Sequence, residues 1–350
     1  MCLAASPSVQ AEPITATVSP ERRYIPEFDG MRAIAALLVI VCHAPGGSHL
    51  VAGFIGVDIF FVLSAFLITS LLVAEQERTG GLRLGQFYWR RSIRLMPALW
   101  LLLIVYMLVA PMVKPDYPHL SDTIIAALYV SNFTSASGHF LLGLGHTWSL
   151  STEEQFYLLW PPLLLILLRA RRPVMILGAL WVGLTATRVL SADSSAAYFG
   201  LATHGTGLIL GAMLFFLMRD GSHVFRLFHG FLGLSILAAL ALLAQQIPPV
   251  LTIAPVEIAT AAVIGTIVAN PGALAALAWR PLVWLGKLSY GLYLWHYPIA
   301  KLMPDMQSFG LNFLIIFAAS LAFASLSYFT VEKWARRYRD WPRPAAAAHA

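Results

Sequence analysis

The chain has 350 residues, of which 59% are apolar and 11% are charged, whereas soluble domains are about 45–50% apolar and about 25% charged. With a mean hydropathy of +0.74, this composition excludes a water-soluble globule and predicts an all-α, polytopic integral membrane bundle whose partner is the lipid bilayer. The net charge of +6 does not indicate a nucleic-acid partner, because the basic residues lie in short loops between apolar segments. The two cysteines have no disulfide or metal-ligand spacing.

A helix that crosses the hydrocarbon core needs about 20 mostly apolar residues, and we find ten such segments. They lie near residues 30–46, 51–74, 95–113, 150–168, 173–191, 198–218, 227–246, 250–269, 281–303 and 309–331. The apolar stretch Ile124–Val130 is too short to cross and is interpreted as an interfacial or re-entrant half-helix. Residues 25–335 form the predicted membrane domain, between a disordered N-terminal tail (1–24, without a signal-peptide pattern) and a cytoplasmic C-terminal tail (336–350).

The distribution of Lys and Arg predicts the orientation. If the N-terminus is cytoplasmic, the loops on that side carry almost all basic residues outside the spans, and the opposite loops carry only Lys114 and Lys301. Such an asymmetry is what the positive-inside rule predicts. We therefore expect both termini in the cytoplasm of a multi-pass protein of the cell inner membrane, which an even number of spans requires.

The first span, within "DGMRAIAALLVIVCHA", carries two ionisable residues, Arg32 and His43. Eleven residues of helix bring a side chain back to within about 20° of the same face and about 16 Å along the axis. Arg32 would then lie just inside the cytoplasmic boundary and His43 in the outer half of the bundle. Arg32 alone is compatible with snorkelling to the interface, but an ionisable pair on one face is typical of a pathway or a site.

Three further ionisable residues are predicted at a similar depth. Asp58 re-enters after a short loop at about the level of His43, His296 lies in the outer part of the ninth span, and Glu153 stands at the outer mouth of the fourth. Each has a structural alternative, such as a helix cap or a bond to a neighbouring helix. Together they supply the imidazoles and carboxylates of a general-base site with an orienting acid.

A basic segment, "FYWRRSIRLMP", precedes the third span. In a helix, Arg90 and Arg94 share a face, and Arg91 lies beside them. Guanidinium groups bind phosphate as permanently charged forks, although basic residues at an inner helix end also serve as topology anchors. The pattern is compatible with a cytoplasmic donor that carries phosphates and a long flexible arm.

Two classes of function fit these residues. One is a transferase with its base in the outer half of the bundle, and the alternative is a proton-coupled secondary transporter that uses His43, Asp58 and His296 as a relay. The inverted repeat and paired interrupted helices of many transporters are not evident in the sequence.

Five stretches then resemble one family. "FDGMRAIAALLVIVCHA", "GVDIFFVLSAFLIT", "FYWRRSIRLMP", "TWSLSTEEQFYLLWP" and "LGKLSYGLYLWHYPI" occur in the order found in the membrane acyltransferases of family 3. These are O-acetylases of lipopolysaccharide, peptidoglycan and exopolysaccharide, with relatives that acylate macrolides. The resemblance implies a ten-helix membrane O-acyltransferase. It moves an acyl group, usually acetyl from acetyl-CoA, to a hydroxyl of an envelope glycan or a glycosylated metabolite, and no tightly bound cofactor is expected.

The resemblance also implies roles for residues at the matched positions. Arg32 and His43 fall on the family's essential pair, Glu153 on its acidic residue and His296 on its late histidine, while Arg90, Arg91 and Arg94 fall on its cytoplasmic arginine motif. We expect His43 to act as general base on the acceptor hydroxyl, with Asp58 or Glu153 orienting its ring. Arg32 would either contact the pantetheine–diphosphate region of the donor or stabilise charge within the pore, and the three motif arginines would hold the CoA phosphates. A covalent acyl-histidine remains an alternative.

Overall fold

The computed structural model describes residues 24–47, 52–219 and 226–339, and within these ranges the chain is helical, with no strand. The all-α prediction is therefore confirmed. The predicted N-terminal tail lies almost entirely outside the described residues, and so does most of the C-terminal tail.

The described ranges contain sixteen α-helices, some of them single turns. They are α1 Pro26–His43, α2 Ile55–Thr79, α3 Leu84–Val113, α4 His119–Ala127, α5 Ser131–Ala136, α6 Thr147–Leu167, α7 Pro173–Leu190, α8 Ser195–Phe199, α9 Leu201–His204, α10 Thr206–Arg219, α11 Leu227–Leu243, α12 Pro249–Ala269, α13 Arg280–Lys287, α14 Ser289–Leu302, α15 Phe309–Ser327 and α16 Lys333–Ala335. A π-helical segment, Tyr328–Glu332, links α15 to α16.

Among the described residues, six helical segments are long and apolar enough to cross a membrane. They are Ile55–Thr79, Leu84–Val113, Pro173–Leu190, Leu227–Gln246, Pro249–Ala269 and Phe309–Tyr338. The other four predicted spans coincide with α1, α6, α10 and the α13–α14 pair, which are shorter, more polar or interrupted. The total of ten spans and the side of each terminus remain predictions.

Local chemistry explains where several of these helices begin and end. Pro26 stands at the first position of α1, where its missing N–H costs no hydrogen bond. Helix α2 ends at Gly80, whose φ of 72° is the left-handed conformation that glycine adopts most readily at a helix C-terminus. At Gly286 in α13, a Cβ atom would lie 1.9 Å from the Asp29 carbonyl oxygen, so this glycine allows α13 to pack directly against the start of α1.

Helix α2 holds the two main parts of the core together. Val57, Phe61 and Ala65, spaced four residues apart, pack in the cluster that contains parts of α1, α3 and α14. Other α2 residues, including Ile59 and Phe66, pack in a second cluster with α10 and α12. Helices α1, α3, α6 and α14 position the polar residues described next.

Candidate active site

Two histidines from distant parts of the chain meet inside the bundle. His43 is the last residue of α1 and His296 lies in α14. Nε2 of His296 lies 3.2 Å from Nδ1 of His43. His296 is fully buried and His43 is partly buried. The two imidazoles, predicted to share one half of the bundle, are in direct contact.

Backbone carbonyls decide which nitrogens of these rings carry protons. The Tyr293 carbonyl oxygen lies 2.7 Å from Nδ1 of His296 and only accepts, so this Nδ1 donates. In a neutral imidazole the other nitrogen carries the lone pair, so Nε2 of His296 accepts from Nδ1–H of His43. That N–H also lies 3.0 Å from the Val39 carbonyl oxygen. The lone pair of His43 therefore resides on Nε2, which hydrogen-bonds to none of the described residues.

A third imidazole, His146, completes the histidine cluster (His43, His146 and His296). Its ring stacks on Tyr297 with 5.0 Å between centroids and lies 5.5 Å from the ring of His296. Tyr297 also packs edge-on against His43, at 5.0 Å. His146 is not among the residues predicted from the sequence, although it directly precedes the matched stretch that starts at Thr147. That position, at the start of α6 beside a recognised motif, was the available signal.

Arg91 is held by two carboxylates and a tyrosine of α6. Its Nε donates to Oε1 of Glu154 at 3.0 Å, and a terminal nitrogen lies 2.9 Å from the same oxygen and 4.0 Å from Glu153. The guanidinium carbon lies 3.0 Å from the centroid of the Tyr157 ring, and the Tyr157 hydroxyl donates to Glu153. Protein groups thus neutralise the charge of Arg91 and join α3 to α6, whereas Arg90 is exposed.

Arg94 and Arg32 are more exposed to solvent than Arg91. Arg94 is exposed and lies within electrostatic range of Arg32 and Arg91, so we call these three residues the arginine cluster. Arg32 donates to Asp29 at 3.0 Å, and 22% of its side chain remains exposed. Eleven residues of α1 separate Arg32 from His43, which corresponds to about 16 Å along the helix.

Glu153 lies further inside its helix than the predicted span places it. Helix α6 begins at Thr147, so Glu153 is six residues, or about 9 Å, inside the helix. There it accepts from Tyr157 and faces Arg91. The prediction that Glu153 orients His43 is therefore wrong, because Nδ1 of His43 bonds to His296 and to the Val39 carbonyl oxygen instead. That Glu153 stands at the outer mouth of its span remains a prediction.

Asp58 also has a different partner from the predicted one. Its Oδ1 lies 2.9 Å from Nε2 of His204, and both side chains are buried. Since Nδ1 of His204 donates to the Tyr198 carbonyl oxygen, a further proton must lie between Nε2 and Oδ1. The prediction that Asp58 orients His43 is wrong. Val57 packs in the core shared with α1, and a turn of about 100° per residue directs Asp58 towards α9 instead.

A second buried charge pair, unrecognised in the sequence, lies among α7, α10 and α12. Arg188 donates to the Thr206 hydroxyl at 2.6 Å and lies 4.0 Å from Glu257, and both charged side chains are fully buried. Glu257 accepts from Thr206 at 2.5 Å and from the Trp181 indole at 2.7 Å. This network joins the three helices in the interior.

The predicted half-helix, Ile124–Val130, covers the end of α4 and the turn that leads into α5, and this turn contacts α6 and α14. Tyr129 in this turn has a φ of 54°, which is uncommon for a bulky residue. Nε2 of Gln155 donates to the Tyr129 carbonyl oxygen at 2.8 Å and to the Asn132 side chain at 2.9 Å. The Tyr129 side chain lies within electrostatic range of Tyr290 and Arg91. The turn therefore reaches the region of the arginine cluster.

A helical membrane bundle with an internal imidazole cluster and a separate arginine cluster holds the groups expected of a membrane-embedded transferase domain. The family model described as "Acyltransferase domain" matches residues 25–330. The chain therefore belongs to this acyltransferase family, as its resemblance to the membrane acyltransferases of family 3 predicts.

Similar proteins carry names that agree with this family. A protein named peptidoglycan O-acetyltransferase OatA, from Listeria monocytogenes, is 32% identical over 90% of this chain and 56% of its own length. A protein named O-acetyltransferase OatA, from Staphylococcus aureus, is 36% identical over 79% of this chain and 51% of its own length. The chain thus spans about half the length of these relatives. No solved structure matches it.

Proposed function

We propose that this chain is a membrane O-acetyltransferase that moves acetyl from acetyl-CoA to a hydroxyl of a cell-wall glycan of the peptidoglycan class. The observation that carries the proposal is the state of His43, whose Nδ1–H is bonded to His296 and Val39 and whose Nε2 keeps its lone pair. The family of acyltransferase domains and the name of the Listeria relative support the reaction class and the acceptor.

The proposed reaction uses His43 twice. Its Nε2 removes the proton of the acceptor hydroxyl as that oxygen attacks the thioester carbonyl carbon. A C–O bond forms, and the C–S bond breaks as the tetrahedral intermediate collapses. The same proton passes from Nε2 to the departing CoA sulfur, so the protein ends the cycle in its initial state. While the ring is positively charged, His296 and the Val39 carbonyl accept from its Nδ1–H.

The arginines divide into two roles in this proposal. Arg94, Arg90 and Arg32 hold the phosphates of CoA, because the first two are exposed and the third is partly open. Arg91 positions α3 against α6, because Glu154 and Tyr157 already occupy its guanidinium. Arg32 and His43 are about 16 Å apart along α1. This distance suits a donor that has phosphates at one end and a thioester at the other end of a long flexible arm.

The proposal includes a direction across the cell inner membrane. With both termini cytoplasmic, the arginine cluster faces the compartment that supplies acetyl-CoA, and the histidine cluster lies towards the acceptor. The concentration of basic residues in the loops on one side supports this orientation. A proton-coupled transporter is not favoured, because the family that matches the chain is one of acyltransferase domains.

The test uses the full chain, purified and reconstituted in lipid nanodiscs. Acetyl-CoA is the donor, and the disaccharide of N-acetylglucosamine and N-acetylmuramic acid is the acceptor probe. We expect acceptor-dependent CoA release and an acetylated disaccharide by mass spectrometry. His43→Ala should abolish both products, while the matched variant His139→Ala, which changes an exposed histidine, should behave as wild type. Ester formation by wild type and His43→Ala alike would refute the role of His43, and no ester from wild type would refute the reaction.

A further inference from the structure

The side chain of His146 is deeply buried and yet lacks hydrogen bonds. It is 2% exposed, and neither ring nitrogen has a hydrogen-bond partner within the described ranges. Most buried polar side chains have at least one partner, and an unpaired buried group is costly to the folded state. We therefore expect this fixed, unpaired imidazole to hydrogen-bond with a bound molecule.

Other contacts explain why the ring stays in place without bonds to its nitrogens. The ring stacks on Tyr297 at 5.0 Å and lies 5.5 Å from Tyr293. The carbonyl oxygen of His146 accepts from the Tyr293 hydroxyl at 3.0 Å and from the Ser149 hydroxyl at 3.1 Å. Backbone bonds and ring stacking thus define the position of His146, and no other side chain engages its ring nitrogens within the described ranges.

The unpaired nitrogens lie in the same cluster as the proposed base. His146 and His43 both contact the rings of His296 and Tyr297, at centroid distances of 5.0–5.5 Å. A thioester that is attacked by a hydroxyl beside Nε2 of His43 would therefore place its carbonyl group among these rings. The arginines are remote from this point, since Arg32 lies about 16 Å away along α1. One cation is nearer, because Nζ of Lys301 lies 5.3 Å from the centroid of the Tyr297 ring.

We infer that His146 stabilises the oxyanion of the transferred acyl group, an inference that rests on the proposed function. When the hydroxyl attacks, the carbonyl π electrons move to oxygen, and the N–H of the neutral His146 ring donates to that oxygen. When the C–S bond breaks, the electrons return and the hydrogen bond weakens. His146 keeps its proton throughout, whereas the transferred proton moves through His43. The two histidines therefore have different tasks at one carbonyl group.

Variants of His146 separate this role from a purely structural one. His146→Phe keeps a ring for the stack on Tyr297 and removes the N–H, so we expect kcat to fall by about 10²–10³-fold with the KM for acetyl-CoA within threefold of wild type. His146→Gln and His146→Asn keep an N–H near the positions of Nε2 and Nδ1, and at least one should recover tenfold or more relative to His146→Phe. His139→Ala is the control, and calorimetric binding of CoA checks that each variant is folded.

Three results would overturn the inference. They are a kcat for His146→Phe within threefold of wild type, an increase in KM with unchanged kcat, or a loss of kcat that neither amide variant reduces. If one of these variants no longer binds CoA, it is treated as misfolded, and His146→Ala takes its place in the kcat comparison. If wild type itself forms no ester, the proposed function fails. An active wild type with an equally active His146→Phe refutes the oxyanion role alone.

Discussion

Nδ1–H of His43 donates to Nε2 of His296 across 3.2 Å, so a second imidazole occupies the place where the sequence predicts a carboxylate. Two neutral rings bonded in series bury no net charge, which suits a site inside a membrane, where an unpaired charge is expensive. The arrangement also defines the tautomer of His43, because His296 is itself fixed by the Tyr293 carbonyl oxygen.

The role of His296 can be tested by removing its lone pair. His296→Leu deprives Nδ1–H of His43 of one acceptor and of the group that orients the ring. We expect kcat for acetyl transfer to fall by about 10²-fold or more, within the range that general-base catalysis contributes. His296→Gln, whose amide oxygen accepts, should retain more activity than the leucine variant. Equal activity of His296→Leu and wild type would contradict this account.

Arg91 should matter more for stability than for donor binding. Arg91→Met leaves Glu153 and Glu154 without their cation, and we expect a loss of about 1–3 kcal/mol in the free energy of unfolding. A lower Tm of the purified protein is the measurement. Arg83→Met, which alters an exposed arginine just before α3, should change the Tm much less. An equal Tm for both variants would show that the ion pairs of Arg91 do not stabilise the fold.

Arg94 should show the opposite behaviour. Arg94→Gln removes an exposed positive charge that we assign to the CoA phosphates, and a charge-assisted hydrogen bond contributes about 1.5–3 kcal/mol. We therefore expect the KM for acetyl-CoA to rise about tenfold or more with little change in Tm, and the KM for the disaccharide to stay unchanged. Arg83→Gln, at another exposed arginine, is the control. A normal KM in Arg94→Gln would exclude Arg94 from the donor site.

The buried pair of Arg188 and Glu257 should show strong coupling. Arg188→Leu leaves the Glu257 carboxylate buried without its cation, and breaking such a pair costs about 3–5 kcal/mol. The double variant Arg188→Leu/Glu257→Leu removes both charges and should recover most of the folded yield in size-exclusion chromatography. If the double variant is no better than Arg188→Leu, the two side chains do not act as a pair.

Gln155 should stabilise the conformation of the turn between α4 and α5. Gln155→Leu removes the two donors that bind the Tyr129 carbonyl oxygen and the Asn132 side chain. The left-handed backbone at Tyr129 costs about 1–2 kcal/mol and depends on such bonds. We expect faster hydrogen–deuterium exchange in residues 119–136 and unchanged exchange in α12. Unaltered exchange in 119–136 would mean that other contacts hold the turn.

Some properties of this protein follow from the order of residues alone. Apolar segments of the required length, with basic residues in the loops between them, predict helices in a bilayer without knowledge of their packing. Arg32, His43 and His296 were recognisable because ionisable residues are rare inside apolar segments. The family was also predictable, since five motifs in order identify it, and the family match over residues 25–330 confirms it.

Only the tertiary structure decided which of these residues touch. His43 and His296 are 253 positions apart, and no periodicity in either helix specifies the other as a partner. Asp58 and Glu153 were expected at His43, but side-chain direction depends on helix rotation and on where the helix begins. Asp58 instead bonds to His204, and Glu153 faces Arg91. The sequence by itself determined which groups enter the membrane, and helix packing determined which of these groups meet. The reason is that a contact between two helices depends on the depth and rotation of each helix, which the local order of residues does not encode.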